Sequence, residues 1–125
     1  MAAVLVAEDN LANQRVVRRI LERLGWCVDV VANGREALTA VERVSYDLVL
    51  MDCQMPEMNG LELLDQVKNN SPRTECLMVT AVNDVRVAVR CLRKGAYVYL
   101  VKPISEEDLV FARRRTLEKK RLLEI

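Results

Sequence analysis

The chain has 125 residues, of which 51% are hydrophobic and 30% charged, so it can bury the core of one domain but is too short for two. Its formal net charge is +1, so the overall charge gives no reason to expect a nucleic acid or a membrane as partner. The chain contains no histidine, which excludes histidine-based nucleophile systems, histidine-ligated zinc and imidazole acid–base chemistry within it.

Five short apolar runs alternate with five segments of helical period along the whole chain. The runs predict strands over residues 4–7, 27–31, 48–51, 76–79 and 98–101. The segments between them predict helices over residues 11–24, 33–44, 61–69, 84–94 and 106–125. Continuous apolar runs are typical of strands covered on both faces, and alternating strands and helices form parallel sheets. The sequence therefore predicts a doubly wound α/β fold with helices on both faces of the sheet.

The ends of the first and last helices carry sequence signals. Asn10 is predicted to cap the first helix and Gly25 to end it. Ser105, followed three residues later by Asp108, predicts the start of the last helix.

The four cysteines are scattered and form no C-x-x-C pair. They are Cys27, Cys53, Cys76 and Cys91. Each lies in an otherwise apolar stretch, so we expect reduced thiols that pack as small hydrophobic side chains. The first ten residues show no basic leader followed by an apolar region, and no apolar run approaches the roughly 18 residues of a membrane span. These features predict a cytoplasmic protein.

Reactive side chains follow four of the five predicted strands. Glu8 and Asp9 follow the first strand, Asp52 the third, Thr80 the fourth and Lys102 the fifth. In an open parallel sheet, ligands bind beyond the carboxyl ends of the strands, where the strand order reverses. We therefore expect three carboxylates, a hydroxyl and an ammonium group to converge on one edge of the sheet.

Three crowded carboxylates repel one another, and a divalent cation resolves that repulsion. Oxygen ligands without histidine or paired cysteine favour Mg²⁺ over zinc. A site that holds Mg²⁺, a lysine and a hydroxyl suits a phosphate group. The chain has no glycine-rich nucleotide-binding loop, and a carboxylate can itself accept a phosphoryl group as an acyl phosphate. Asp52, which follows the most apolar predicted strand, is the best-placed nucleophile.

Four segments of the chain, in this order and at strand ends, match a known pattern. They are VLVAEDN at 4–10, LVLMDCQMPEMNGLELL at 48–64, MVTA at 78–81 and YVYLVKPI at 97–104. Together they resemble the receiver domains of two-component response regulators, over about residues 3–112. The resemblance implies the flavodoxin-like strand order 2-1-3-4-5. It also implies a signalling switch that takes a phosphoryl group from a histidine kinase or a histidine phosphotransfer protein.

The resemblance implies a metal-binding and phosphoacceptor set. Asp52 would be the phosphoacceptor. Glu8, Asp9, Asp52 and the backbone carbonyl of Gln54 would hold Mg²⁺. The first acid of this set is Glu8, where aspartate is commoner in the family.

The resemblance also implies a phosphate-binding and switching set. Thr80 and Lys102 would bind the phosphoryl oxygens, and Thr80 and Tyr99 would move together on phosphorylation. Pro103 would follow a cis peptide bond. The movement would reshape the surface formed by the fourth helix, the fifth strand and the fifth helix, which would contact an output domain or a partner.

Several of the site residues also have a plain structural interpretation. Glu8 and Asp9 could form an exposed turn before a helix, where acidic side chains favour the helix dipole. Lys102 and Pro103 could form a simple turn, and Tyr99 could be ordinary strand packing. The presence of reactive groups at the ends of four of the five predicted strands favours the site.

The end of the chain differs in charge from the rest. Residues 1–112, the predicted receiver domain, have a net charge of −3, and residues 113–125, a predicted extension of the last helix, have +4. The extension could lead to an output domain or pair with a second copy. Direct DNA binding is not expected, because no reader motif accompanies the basic run. The fourth helix, with apolar residues pointing in several directions, predicts a contact surface for a partner or for a second copy of the chain.

Two other functions compete with the switch. A Mg²⁺-dependent phosphohydrolase of the haloacid dehalogenase type would need a second acid two residues after Asp52, where this chain has Gln54. A degenerate receiver would act as an interaction module without phosphorylation. We expect a regulatory phosphoacceptor, which performs at most its own phosphorylation and dephosphorylation.

Overall fold

Five short strands form one parallel sheet in the computed structural model of the chain. They are β1 (Ala3–Ala7), β2 (Cys27–Val31), β3 (Leu48–Asp52), β4 (Glu75–Thr80) and β5 (Val98–Val101). The strand order is β2-β1-β3-β4-β5, and each neighbouring pair is parallel. The structure describes residues 3–52, 60–80, 85–93, 95–96, 98–101 and 104–123.

One helix follows each strand along the chain. The helices are α1 (Leu11–Arg23), α2 (Gly34–Arg43), α3 (Gly60–Asn70), α4 (Val85–Arg93) and α5 (Glu106–Leu123). The strand order reverses at β1, which has β2 on one side and β3 on the other. The predicted doubly wound, flavodoxin-like α/β class is confirmed. Within the described ranges, no helix has both the length and the hydropathy that crossing a bilayer requires.

The two faces of the sheet bury separate apolar layers. Because side chains alternate along a strand, Leu5 and Ala7 of β1 lie in one layer and Val4 and Val6 in the other. The first layer includes buried residues of α2 and α3, namely Ala37, Val41, Leu63, Leu64 and Val67. The second includes buried residues of α1 and α5, namely Val17, Leu21, Leu109 and Ala112. Cover on both faces explains why the central strands are continuous apolar runs.

The helix ends follow the predicted signals. Asn10 caps α1, because its side chain accepts the backbone N–H of Asn13 at 3.0 Å. At α5, the Ser105 hydroxyl accepts the Asp108 N–H and the Asp108 carboxylate accepts the Ser105 N–H, both at 3.1 Å. Gly25 follows α1 with a φ of +91°, a conformation that residues with a Cβ rarely adopt. These contacts set where α1 begins and ends and where α5 begins.

Paired polar groups hold the amino-terminal edge of the sheet, where the strands begin. The Asp47 carboxylate accepts the Ala3 N–H at 2.9 Å, and the buried Thr74 hydroxyl donates to the Tyr46 carbonyl at 2.8 Å. The Tyr46 hydroxyl donates to the Asp29 carboxylate at 2.6 Å. Burial raises the pKa of Tyr46 above its usual range, and the hydrogen bond to Asp29 raises it further.

Two expectations about side chains were wrong. Cys76 is buried, and burial raises the pKa of its thiol to about 12, but Cys27 is exposed at the start of the edge strand β2. In α4, Arg86, Arg90 and Arg93 are all exposed and lie on one face of the helix, so α4 is amphipathic rather than apolar all round. Cys53 and the side chain of Cys91 lie outside the described residues.

Candidate metal centre

Three carboxylates meet at the carboxyl edge of the sheet, where the strand order reverses. Glu8 and Asp9 directly follow β1, and Asp52 is the last residue of β3. The pairing of Ala7 with Met51 brings these two strand ends side by side. One carboxylate oxygen of each side chain lies within 4.8 Å of the other two. Glu8 and Asp52 are each only 6% exposed, whereas Asp9 is exposed.

This set of donors fits a hard divalent cation. Carboxylates at such separations repel one another, and burial of two of them removes water that would screen the repulsion. A bound cation offsets the repulsion, and oxygen ligands of this kind suit Mg²⁺. Zinc sites draw mainly on histidine and cysteine, and neither residue type belongs to this cluster. The acidic cluster is therefore compatible with a bound metal ion.

Backbone and side-chain neighbours hold Glu8 in place. Its N–H donates to the Val31 carbonyl at 3.0 Å, which continues the pairing of β1 and β2 beyond the end of β1. Its Oε1 accepts the Asn10 N–H at 3.3 Å and the Asn13 side-chain amide at 3.1 Å. The Gln14 side-chain amide donates to the Glu8 carbonyl. The first turns of α1 are thus tied to both the backbone and the carboxylate of Glu8.

Of the two residues predicted to bind the phosphoryl group, one ends β4 and the other follows β5 along the chain. Thr80 is the last residue of β4, in which Val79 lies opposite Asp52. The backbone of Thr80 therefore reaches the edge where Asp52 lies, while its side chain is outside the described part of the chain. Lys102, which follows β5, also lies outside it. The structure brings the three acids together, and the roles of the hydroxyl and the amine stay predictions.

Three more residues are predicted to take part in this site, namely Tyr99, Gln54 and Pro103. Tyr99 lies in β5, where its backbone pairs with Met78 of β4, and its side chain is outside the described set. Gln54 and Pro103 lie outside the described residues altogether. The roles of Tyr99 as a switch residue, of Gln54 as a metal-binding carbonyl and of Pro103 as a cis-peptide proline stay predictions.

Asn13 and Gln14 contact Glu8 but were not predicted from the sequence. The available signal was their position, since both amide side chains lie in the first turn of a helix that directly follows an acidic pair. Polar residues at such positions are also common on solvated helix faces, so spacing alone did not separate the two interpretations.

The chain is similar in sequence to a known family and to curated proteins. A family model described as response regulator receiver domain matches residues 4–114. The chain is 35% identical over 121 residues to the transcriptional regulatory protein ZraR of Klebsiella oxytoca. The match covers 97% of this chain and 27% of that protein. It is 33% identical over 120 residues to the hybrid signal transduction histidine kinase B of Dictyostelium discoideum. This match covers 86% of this chain and 6% of the kinase.

A solved structure is similar over nearly the whole chain. The response regulator receiver domain protein (CheY-like) from Methanospirillum hungatei JF-1 superimposes with a TM-score of 0.92 at 29% identity, covering 97% of each chain. Its length matches that of this chain, whereas the chain spans 27% or less of the two curated relatives above.

Proposed function

This chain belongs to the response regulator receiver domain family, and on that premise we propose that it is a phosphoacceptor switch. Asp52 takes a phosphoryl group from a histidine of a partner kinase or phosphotransfer protein. Glu8, Asp9, Asp52 and the backbone carbonyl of Gln54 would hold Mg²⁺. The observation that carries the proposal is the cluster of three carboxylates, two of them buried, at the ends of β1 and β3.

The transfer to Asp52 is a displacement at phosphorus. One carboxylate oxygen of Asp52 forms the new P–O bond while the P–N bond to the donor imidazole breaks, and the imidazole keeps the electron pair of that bond. Bound Mg²⁺ supplies positive charge beside the phosphoryl oxygens. Glu8 and Asp9 would hold the metal ion, and Lys102 and Thr80 would bind phosphoryl oxygens. The product is an acyl phosphate on Asp52.

The acyl phosphate shifts an equilibrium between two states of the domain. Thr80 and Tyr99 move together and alter the surface formed by α4, β5 and α5. Couplings of this kind are typically worth about 1–3 kcal/mol. Val89, Leu92 and Phe111 support a contact role for that surface, because these apolar side chains on α4 and α5 are 39%, 46% and 51% exposed.

The relatives suggest the setting in which the switch works. One is named a transcriptional regulator and the other a hybrid histidine kinase. We propose that residues 1–112 form the receiver and that residues 113–125 extend its last helix towards an output domain or a second copy. The partners are then a cytoplasmic kinase domain or phosphotransfer protein and an output domain in the same or another chain, with no membrane contact and no direct nucleic-acid contact by this segment.

Acetyl phosphate tests the phosphoacceptor directly. With Mg²⁺ present, intact-mass spectrometry should show a transient gain of one phosphoryl group in the wild type and none in Asp52→Ala. Asp65→Ala, which removes an aspartate from α3, is the matched control and should gain the group as the wild type does.

Two results would replace the switch with another function. Sustained release of phosphate from many phosphate esters would indicate a phosphohydrolase. No gain of mass with acetyl phosphate or with a cognate kinase would indicate an interaction module without phosphorylation.

A further inference from the structure

Asn13, in the first turn of α1, contacts the acidic cluster from outside it. Its side-chain Nδ2 donates to Glu8 Oε1 at 3.1 Å. Its backbone N–H is bonded separately to the Asn10 side chain at 3.0 Å, so the helix cap and the contact with Glu8 use different groups of Asn13. We infer that Asn13 is a positioning residue for the metal centre, because its amide orients the Glu8 carboxylate towards the ion. The inference rests on the proposed function, since it assigns a role within the same site.

The length of Glu8 explains why such a support is needed. A glutamate has one more rotatable bond than an aspartate, so its carboxylate samples more positions. A carboxylate oxygen of Glu8 nevertheless lies within 4.8 Å of those of Asp9 and Asp52, whose charges repel it. Two donors converge on Glu8 Oε1, the Asn10 N–H at 3.3 Å and the Asn13 amide at 3.1 Å. Of these two donors, the Asn13 amide belongs to a side chain, so a substitution can remove it.

The chemistry of the amide suits this role. A lysine or arginine in its place would pair with the Glu8 charge and compete with the cation, whereas a neutral amide orients the carboxylate and leaves its charge in place. The amide is also carried by an anchored element, because Val17 and Leu21 of α1 are buried in the core. Partners that orient metal ligands in this way typically change metal affinity by about 10- to 100-fold.

Titration of the full chain with Mg²⁺, followed by the NMR signals of its backbone amides, measures the role of Asn13. We expect Asn13→Ala to raise the Kd for Mg²⁺ about tenfold. Arg19→Ala, at an exposed position of the same helix, should leave the Kd unchanged and should show the same folded spectrum. A Kd for Asn13→Ala equal to that of the wild type would overturn the inference.

A double-mutant cycle distinguishes positioning from a general effect on α1. Glu8→Asp keeps a carboxylate but withdraws it by about one carbon–carbon bond, roughly 1.5 Å, from the Asn13 amide. Asn13→Ala should therefore change the Kd by less than about twofold in the Glu8→Asp background. An equal loss in both backgrounds would show that Asn13 acts through the helix and would overturn the inference.

The outcomes also separate this inference from the proposed function. If Mg²⁺ binding depends on Asn13 through Glu8 and Asp52 accepts no phosphoryl group, the positioning role stands and the proposed switch fails. If Asp52 is phosphorylated normally and Mg²⁺ affinity does not depend on Asn13, only the inference fails. If the wild type shows no saturable Mg²⁺ binding, both are overturned.

Discussion

The two edges of the sheet use carboxylates in opposite ways. At the amino-terminal edge, the Asp47 carboxylate accepts the Ala3 N–H at 2.9 Å and so ties the start of β1 to the start of β3. At the carboxyl edge, carboxylate oxygens lie within 4.8 Å of one another in the cluster of Glu8, Asp9 and Asp52. One arrangement satisfies a backbone donor of the fold, and the other gathers like charges.

The carboxylate at the amino-terminal edge thus stabilises the fold, whereas those at the carboxyl edge form a candidate binding site. Hydrogen bonds to charged groups stabilise a fold by about 1.5–3 kcal/mol, whereas neighbouring like charges destabilise it. The repulsion at the carboxyl edge is tolerated because the rest of the sheet, with its two buried layers, holds the strands in place. Residues that conflict with stability in this way are typical of binding sites.

The largest expected effect comes from removing one negative charge at each edge. Glu8→Gln should weaken Mg²⁺ binding by about a hundredfold, because it replaces a charged carboxylate ligand with a neutral amide. A loss of that size is the upper end of what removing a residue that only orients a ligand produces. The free energy of unfolding of Glu8→Gln without metal should be equal to or higher than that of the wild type, because the repulsion falls. Mg²⁺ titration and urea unfolding measure the two quantities.

Asp47→Asn is the matched control, since it loses the same charge at the other edge. It should bind Mg²⁺ as the wild type does and should lose about 1 kcal/mol of stability, because the Ala3 N–H then bonds to a weaker acceptor. Equal losses of Mg²⁺ affinity in the two variants would mean that total charge, and not the cluster, controls binding.

An intermediate effect is expected for Tyr46→Phe, which removes the hydroxyl bonded to Asp29. Near pH 7 it should lower the free energy of unfolding by about 1 kcal/mol. The pKa of Tyr46 is raised in the folded chain, so its stabilisation is complete below the unfolded pKa of about 10 and is lost as the pH rises towards the folded pKa. Above pH 10 the wild type should therefore lose stability relative to the variant, by at most about 1.4 kcal/mol per pH unit.

Urea unfolding of both proteins from pH 7 to 11 measures this difference, and the variant itself controls for every other titrating group. Parallel stability curves above pH 10 would contradict the prediction. Mg²⁺ affinity should be the same in both proteins, because Tyr46 lies at the opposite edge from the cluster.

The smallest effect is expected for Arg23→Ala, which breaks an ion pair between two helices. Arg23 Nη2 lies 2.9 Å from Glu106 Oε1 and joins α1 to α5, with side chains 59% and 53% exposed. The free energy of unfolding should fall by less than about 1 kcal/mol, and by less still in high salt, because solvent and ions screen exposed ion pairs. Thermal unfolding at low and high salt measures this loss of stability. A loss as large as that of Tyr46→Phe would show that this contact between helices contributes as much stability as the hydrogen bond at the amino-terminal edge.

Much of the carboxyl edge could be predicted because each acid directly follows an apolar run. Asp52 ends β3, and Glu8 follows β1, as the pattern indicated. The contact of Asn13 with Glu8 could not be predicted, since it depends on side-chain torsions that sequence spacing does not specify. The exposure of Cys27 was missed for a related reason, because an apolar neighbourhood in sequence does not reveal which strand lies at an edge.

The sequence by itself determined the alternation of strands and helices, because the period of apolar residues reports which side of each element is buried. It also determined which strands end in an acid. The sequence predicted that Glu8 and Asp52, 44 positions apart, lie at one edge, but the tertiary structure alone decided that their carboxylate oxygens come within 4.8 Å of each other. They meet because β1 pairs with β3 in parallel, with Ala7 opposite Met51, and parallel neighbours bring their carboxyl ends to the same edge.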